Sequence, residues 1–363
     1  MKNSIGQNIT LTIFGESHGA GIGAVLDGMP AGIPVSDDFI ANQLSIRRPS
    51  GNISTPRVEK DNFIIYSGVF NGFTTGTPIC IVIPNENTKS KDYSADRFKA
   101  RPSHADFVAF EKYHGFEDYR GGGHFSGRVT AGIVAVGAIA ISALKQKGIT
   151  IGTHIKKCAG VYDRDFADYN ADISALNGMT FAVLDNDKAE EMQNEILKAR
   201  KDLDSVGGVL ETAVIGMPVG VGEPWFDSLE SMLSHALFSI PAVKGVEFGL
   251  GFDISDLRGS KANDQLEIKD GNITFKTNNN GGINGGITNG DRVIFRTAVK
   301  PTPTISQPQD TVDFEKLENT VIASRGRHDP CIVHRARVVV DSMTAITLCD
   351  ALTAKFGTDW WIK

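Results

Sequence analysis

Residues 128–146 read RVTAGIVAVGAIAISALKQ, and the fold follows from how this stretch is read. Between Arg128 and Lys145 there is no charge, only Ala, Val, Ile and Gly with a few small polar residues. A helix of this composition has no face to offer water, so it is buried on most sides. The apolar run Val129–Leu144 is broken by Thr130, Gly132, Gly137 and Ser142, and it falls short of the roughly 18–20 residues of a membrane span. It is expected in a protein core. The polar N-terminus has no apolar signal segment, so the expected location is cytoplasmic.

Upstream of the helix lie a glycine-rich loop at 120–127, a helical stretch at 106–115 and a polar loop at 85–104. Before these come strand patterns at 9–14, 22–26, 63–66 and 79–83. A short helix carrying Ile40, Leu44 and Ile46 is expected to be capped by Asp37 or Asp38. Downstream, residues 187–203 predict an amphipathic helix with Met192, Ile196, Ala199 and Leu203 on its buried stripe. Strands are predicted at 209–215, 265–268, 273–276 and 292–298, and a last helix at 341–355. Strands and helices mix without regular alternation, which predicts an α+β protein rather than a doubly wound parallel sheet. No low-complexity linker divides the chain, so residues 1–363 are expected to form a single domain. Gly-Thr-Pro and Lys-Pro-Thr turns recur weakly between the halves, too weakly to define a repeat.

The 363 residues carry 37 basic and 43 acidic side chains, a net charge of −6, with 41% hydrophobic and 22% charged residues. This balance fits a globular protein and argues against a nucleic-acid binder. Cys80, Cys158, Cys331 and Cys349 lack CxxC spacing, which argues against a zinc cluster or disulfide framework. No metal site is expected.

Four loops join glycine or proline to ionisable residues. They are Glu16-Ser17-His18, Arg101-Pro102-Ser103-His104-Ala105-Asp106, Arg120 through Arg128, and Arg327-His328-Asp329-Pro330. Singly, each reads as a surface histidine or a local salt bridge. Together, Arg47, Arg48, Arg101, Arg128 and Arg327 concentrate planar cations in loops of an acidic protein, a pattern that suits carboxylate and phosphate. No Walker loop or strand–GxGxxG–helix unit is present. The residues alone point to an enzyme acting on a small phosphorylated or carboxylated molecule.

In this order the loops closely resemble the chorismate synthase family over nearly the whole chain. The resemblance rests on nine motifs in register. They are Phe14-Gly15-Glu16-Ser17-His18-Gly19, Ser67 through Phe70 followed by Thr74 through Ile79, Arg101 through Asp106, Asp118 through Gly123, Gly222-Glu223-Pro224, Val243 through Glu247, Asn280 through Gly286, Lys300-Pro301-Thr302 and Arg327 through Pro330. It implies a layered sandwich of two antiparallel sheets around central helices and a homotetramer. It also implies a carbon–oxygen lyase of the shikimate pathway, converting 5-enolpyruvylshikimate 3-phosphate to chorismate and phosphate with reduced FMN. By resemblance, His18 assists the leaving phosphate, His104 protonates the reduced flavin, Asp329 works at the C6 hydrogen, and Ser17 neighbours them. Arg47, Arg101, Arg128 and Arg327 bind the substrate anions. FMN is expected against His124, Phe125, Ser126, Gly285, Arg327 and the run Lys300, Pro301, Thr302, Pro303, Thr304. NADPH enters only indirectly, as the reductant of FMN, with Arg47 a candidate contact, and a flavin reductase is the expected partner. The chain departs from the common family loop Arg-Ser-Ser-Ala-Arg-Glu-Thr, reading His124-Phe125-Ser126-Gly127-Arg128-Val129-Thr130.

Overall fold

A computed structural model describes residues 2–49, 51–55, 60–86, 97–324 and 329–362. In chain order the first half contributes β1 (Ser4–Ile5), β2 (Thr10–Gly15), β3 (Gly21–Asp27), α1 (Asp37–Arg47) and β4 (Ile64–Ser67). It continues with β5 (Val69–Phe70), β6 (Phe73–Thr74), β7 (Ile79–Pro84), α2 (Asp106–Tyr113) and α3 (Thr130–Gln146). The second half holds β8 (Thr150–Cys158), β9 (Val161–Tyr162), α4 (Tyr169–Leu176), α5 (Asn186–Lys201), β10 (Gly208–Ile215), α6 (Leu229–Phe238) and β11 (Val243–Phe248). After these come α7 (Gly259–Ala262), β12 (Leu266–Lys269), β13 (Asn272–Phe275), β14 (Ile283–Asn284), β15 (Ile287–Thr288) and β16 (Val293–Val299). The chain closes with β17 (Gln309–Asp313), β18 (Glu318–Ile322) and α8 (Val333–Phe356).

Two five-stranded sheets enclose a helical layer. Their orders are β1-β2-β3-β7-β4 and β9-β8-β10-β16-β11, antiparallel throughout. Between them lie α3 and α8, packed on each other, with α3 also against β3 and β7 and α8 against β8 and β10. This is the expected α+β sandwich. The two halves share one topology over four strands. Sheet order β2-β3-β7-β4 in the first half matches β8-β10-β16-β11 in the second, with the same order along the chain, whereas the remaining strand precedes its neighbour in the first half (β1) and follows it in the second (β9). In each half one helix (α1 or α6) precedes the edge strand and a long central helix (α3 or α8) follows the last. The duplication was not readable from the weak turn similarity; it is carried by strand order. The central helices cross where Gly137 meets Ser342, and a Cβ at Gly137 would lie 2.4 Å from that of Ser342. Glycine is what permits so close an approach.

With its short N-terminal turn, the apolar helix spans Gly127–Gln146, 20 residues with a mean hydropathy of 1.8. It is thus longer than the apolar run alone suggests, and length does not exclude a span. Its burial does the assigning: Ala131, Val134, Ala135, Val136 and Ala138 are wholly enclosed between the sheets.

Several local expectations are corrected. Ser36 caps α1, its hydroxyl accepting from the amide of Phe39, while Asp37 and Asp38 occupy the first turn. There they favour the positive end of the helix dipole. The amphipathic helix α5 buries Met192 and Ile196 but stops at Lys201; Leu203 is exposed with a left-handed φ of 60°. The last helix begins at Val333, eight residues before the expected start. Its first turns contain His334, Arg335, Arg337 and three consecutive valines, and burial on every side erases the amphipathic period. Strand β8 escapes the sequence reading because Thr153 and His154 are polar yet buried. Of the expected polar loop at 85–104, residues 87–96 lie outside the described residues.

Thr153 faces the helical layer and bonds Asp341, whereas His154 points to the opposite face of the sheet. There its Nδ1 meets Asp163 at 2.7 Å and its Nε2 meets Glu211 at 3.1 Å. Burial alone would lower the pKa of His154, but Asp163 and Glu211 outweigh it and raise it. A group raised in the folded state stabilises fully below its unfolded value, about 6.5. That stability is lost as pH climbs through the folded value. Urea midpoints are therefore expected to fall as pH rises above about 6.5, and His154→Gln to flatten the decline. An undiminished slope in the variant would contradict this reading.

Candidate active site

One cavity of about 920 Å³ opens where α3 and α8 both begin; it is lined by Thr130 and Ile133 from one helix and by Arg335 and Ala336 from the other. The equivalent loops of the two halves, β7-to-α3 and β16-to-α8, meet there, so the duplicated topology brings distant segments together. Two helix N-termini also direct positive dipole ends toward the same space, which favours an anion.

The turn at 120–123 forms part of the wall. Gly121, Gly122 and Gly123 all have positive φ, at 59°, 83° and 52°. A Cβ on Gly121 would lie 2.2 Å from Cε1 of His18, so only glycine fits. The amide of Ser17 donates to the Gly123 carbonyl at 3.1 Å. Ser17 and His18 are both buried and do not line the cavity; they stand directly behind Gly121, one residue from the space. The Ser17 hydroxyl has no partner among the described residues. His124 lines the cavity with Nδ1 donating to the Gly15 carbonyl at 2.8 Å. Phe125 and Ser126 line it too, and Phe125 packs its ring edgewise against Tyr113.

The loop before α2 folds on Asp106. Its carboxylate accepts from the Arg101 amide at 3.0 Å, from Nε at 2.8 Å and from Nη2 at 2.6 Å, and it sits 2.7 Å from Nδ1 of His104. Burial opposes ionisation of Asp106, but the bonds from Arg101 and His104 prevail and hold its carboxyl far below the usual range. Asp118, also in the lining, is paired by Arg120, which lowers its pKa.

Arg47 and Arg128 converge on one buried acid that the sequence reading missed. Asp61 lies 3.7 Å from Arg47, 3.8 Å from Arg48 and in direct contact with Arg128. Its side chain is fully buried. Arg47 also donates from Nε to Thr130 at 3.0 Å and from Nη2 to the Gly127 carbonyl at 2.9 Å. So buried a guanidinium braces the wall of the cavity.

Asp329 reaches the cavity with both oxygens engaged: the Thr55 amide donates at 2.9 Å and Arg335 Nη1 at 2.6 Å. Arg335 also donates Nε to the Arg47 carbonyl at 2.8 Å. Nothing flagged Arg335 or Asp61 in the sequence, because only burial and a partner distant in the chain distinguish them.

Lys300 lines the cavity and donates to the Ser103 carbonyl at 2.7 Å. Desolvation, and then the neighbouring charge of Lys244, lower its pKa. Lys244 was overlooked as a site residue and lines the same space. Thr302, Pro303 and Thr304 line it as expected, whereas Pro301 does not. The Thr302 hydroxyl is buried with no partner among the described residues. Gly285 lies elsewhere. It forms the β14–β15 turn with Gly286, where positive φ is required, and Gly286 bonds the start of α6. The far end of α6, at His235 and Phe238, is what lines the cavity. Arg327 lies outside the described residues.

Chemically, this is a concave site with several cations, an aspartate, and a histidine beside an aspartate. The family model for chorismate synthase matches residues 9–353. Curated chorismate synthases from Dehalococcoides mccartyi and Pyrococcus abyssi are 47% and 45% identical to the chain. The first alignment covers 96% of each sequence and the second 99% of each. A solved chorismate synthase structure superposes with a TM-score of 0.77 at 30% identity, covering 97% of this chain and 94% of that one. The wall of paired arginines, the order of its loops and these likenesses agree: the chain belongs to the chorismate synthase family, whose members are lyases.

Proposed function

We propose that this chain releases phosphate from 5-enolpyruvylshikimate 3-phosphate to form chorismate, with reduced FMN bound beside the substrate. The observation that carries the reading is the cavity itself. Its volume lies toward the upper end of the roughly 300–1,000 Å³ usual for small-molecule sites, and its walls carry Arg47, Arg101, Arg128, Lys244, Lys300 and Arg335. A substrate with two carboxylates and a phosphate requires such walls.

The residues present also fit the flavin. Lys300 and Lys244 line the same space as the Thr302 hydroxyl, which has no partner among the described residues, a donor set suited to the FMN phosphate. His124, Phe125 and Ser126 offer a wall for the ring. When bound, reduced FMN would supply the electron chemistry that the elimination needs without net consumption, while the protein orients it and supplies charge. His104 holds a proton for the flavin side of the cavity. Asp329, held by Arg335 and the Thr55 amide, would work at the C6 hydrogen. His18 serves the departing phosphate with Ser17 beside it. Since both lie behind Gly121, this role requires the glycine turn to yield when substrate enters.

A cytoplasmic protein acting as one domain, fed with reduced FMN by an NADPH-dependent flavin reductase, completes the reading. Trp225, Phe226, Ile268 and Ile273 are exposed and suit the contacts of a homotetramer. To test the cofactor site, Lys300→Met is expected to weaken FMN binding about tenfold or more, measured by flavin fluorescence. A charged hydrogen bond is worth roughly 1.5–3 kcal/mol. Unaltered affinity in that variant would remove Lys300 from the site.

A further inference from the structure

The loop that carries Ser17 and His18 runs from Glu16 to Ala20, between the end of β2 at Gly15 and the start of β3 at Gly21. The β2–β3 ladder ends where Gly15 pairs with Ile22, so the sheet itself does not hold the loop tip. Two other attachments do. One is the glycine turn: the Ser17 amide donates to the Gly123 carbonyl, and His124 bonds the Gly15 carbonyl. The other is Asn85. It follows β7 directly, one residue past the pairing of Gly21 with Pro84, and its amide donates to the Ala20 carbonyl at 3.1 Å. Its side-chain Nδ2 donates to the Glu16 carbonyl at 2.9 Å and to the Gly19 carbonyl at 3.0 Å, while its Oδ1 accepts from Nε of Arg128 at 3.2 Å. Chemistry fixes this orientation. Carbonyls only accept and a guanidinium only donates, so a flipped amide would lose all three side-chain bonds. Asn85 is not part of the cavity lining, whereas Arg128 is. The side chain thus joins a loop behind the wall to a cation in the wall.

We propose that Asn85 is a positioning residue: it ties the His18 loop to the Arg128 guanidinium and keeps His18 in place when the glycine turn moves. The consequence for turnover rests on the function proposed above, in which His18 serves the departing phosphate and the turn yields as substrate enters. A turn that yields gives up its attachment to Ser17. The Asn85 bonds to the loop do not involve the turn, and they are braced by Arg128, itself seated on buried Asp61. Only an amide can serve both partners. A side chain at this position that only donates loses Arg128, and one that only accepts loses the loop.

Hydrogen exchange of the ligand-free protein, read by mass spectrometry in peptides covering residues 15–20, tests the tie without any turnover. In Asn85→Ala, exchange there is expected to accelerate about tenfold or more, the scale of one or two lost hydrogen bonds, with β10 unaffected. Asn85→Asp keeps the side-chain size and an acceptor for Arg128 but loses both donors, and the same acceleration is expected. Unaltered exchange in either variant overturns the proposal. Kinetics then ask whether the tie acts through His18. In Asn85→Ala, kcat is expected to fall about 100-fold with KM within a few-fold. Adding Asn85→Ala to His18→Ala is expected to cause no further loss, because nothing is left to position. A further loss of similar size in the double variant would place the effect of Asn85 elsewhere and overturn the positioning role. Full turnover in His18→Ala alone would contradict the functional reading instead, so the two failures are told apart.

Discussion

Asp329→Asn is expected to lower turnover about 1,000-fold while leaving FMN binding within a few-fold, the scale of a lost acid–base group. The substitution keeps the size of the side chain and one oxygen that can accept from Thr55 or Arg335. What it removes is the negative charge. In the structure the two oxygens of Asp329 are held, one by a backbone amide at 2.9 Å and the other by a guanidinium at 2.6 Å. Such support makes the carboxylate a fixed feature of the cavity rather than a group free to swing away. Steady-state kinetics with saturating reduced FMN separates the outcomes. A loss in kcat with a small change in KM fits a role at the reacting atoms. Turnover close to that of the unaltered protein would make Asp329 only an anchor for Arg335.

Asp61→Asn is expected to cost about 3–5 kcal/mol of stability, the range for breaking a buried ion pair. Asp61 is the shared counter-charge of Arg47, Arg48 and Arg128, and two of those guanidiniums are themselves nearly inaccessible. Its φ is 51°, a conformation asparagine adopts readily, so the variant isolates the charge from the backbone. The arginines would be left repelling one another at the cavity wall. A bound polyanion replaces the missing charge, so substrate is expected to raise the melting temperature more in the variant than in the unaltered protein. Urea denaturation gives the loss, and a change below about 1 kcal/mol would show that the cluster is solvated in solution.

Much of this architecture can be read from the chain because chemistry and local pattern coincide. The run at 128–146 is apolar all round and becomes the central helix α3. The loops containing His104, Arg128 and Asp329 are marked by glycine, proline and charge together, and each reaches the cavity. Illegible parts depend on relations across the chain. Asp61 is 67 residues from Arg128, and Arg335 acts on a carbonyl 288 residues away. The duplicated topology lies in strand order, which hydrophobic periodicity does not encode. The N-terminal third of α8 is hidden for the opposite reason: with every face buried, no periodic contrast survives. Gly285 is instructive too, since its glycine is explained by a hairpin turn at the other end of α6 from the cavity.

The most direct test is an anaerobic incubation of the protein with 5-enolpyruvylshikimate 3-phosphate and chemically reduced FMN, following chorismate and phosphate in the same sample. Equal release of the two products, absent with oxidised FMN, is the expected result. Bound flavin with neither product formed, or phosphate released without chorismate, would contradict the proposed reaction.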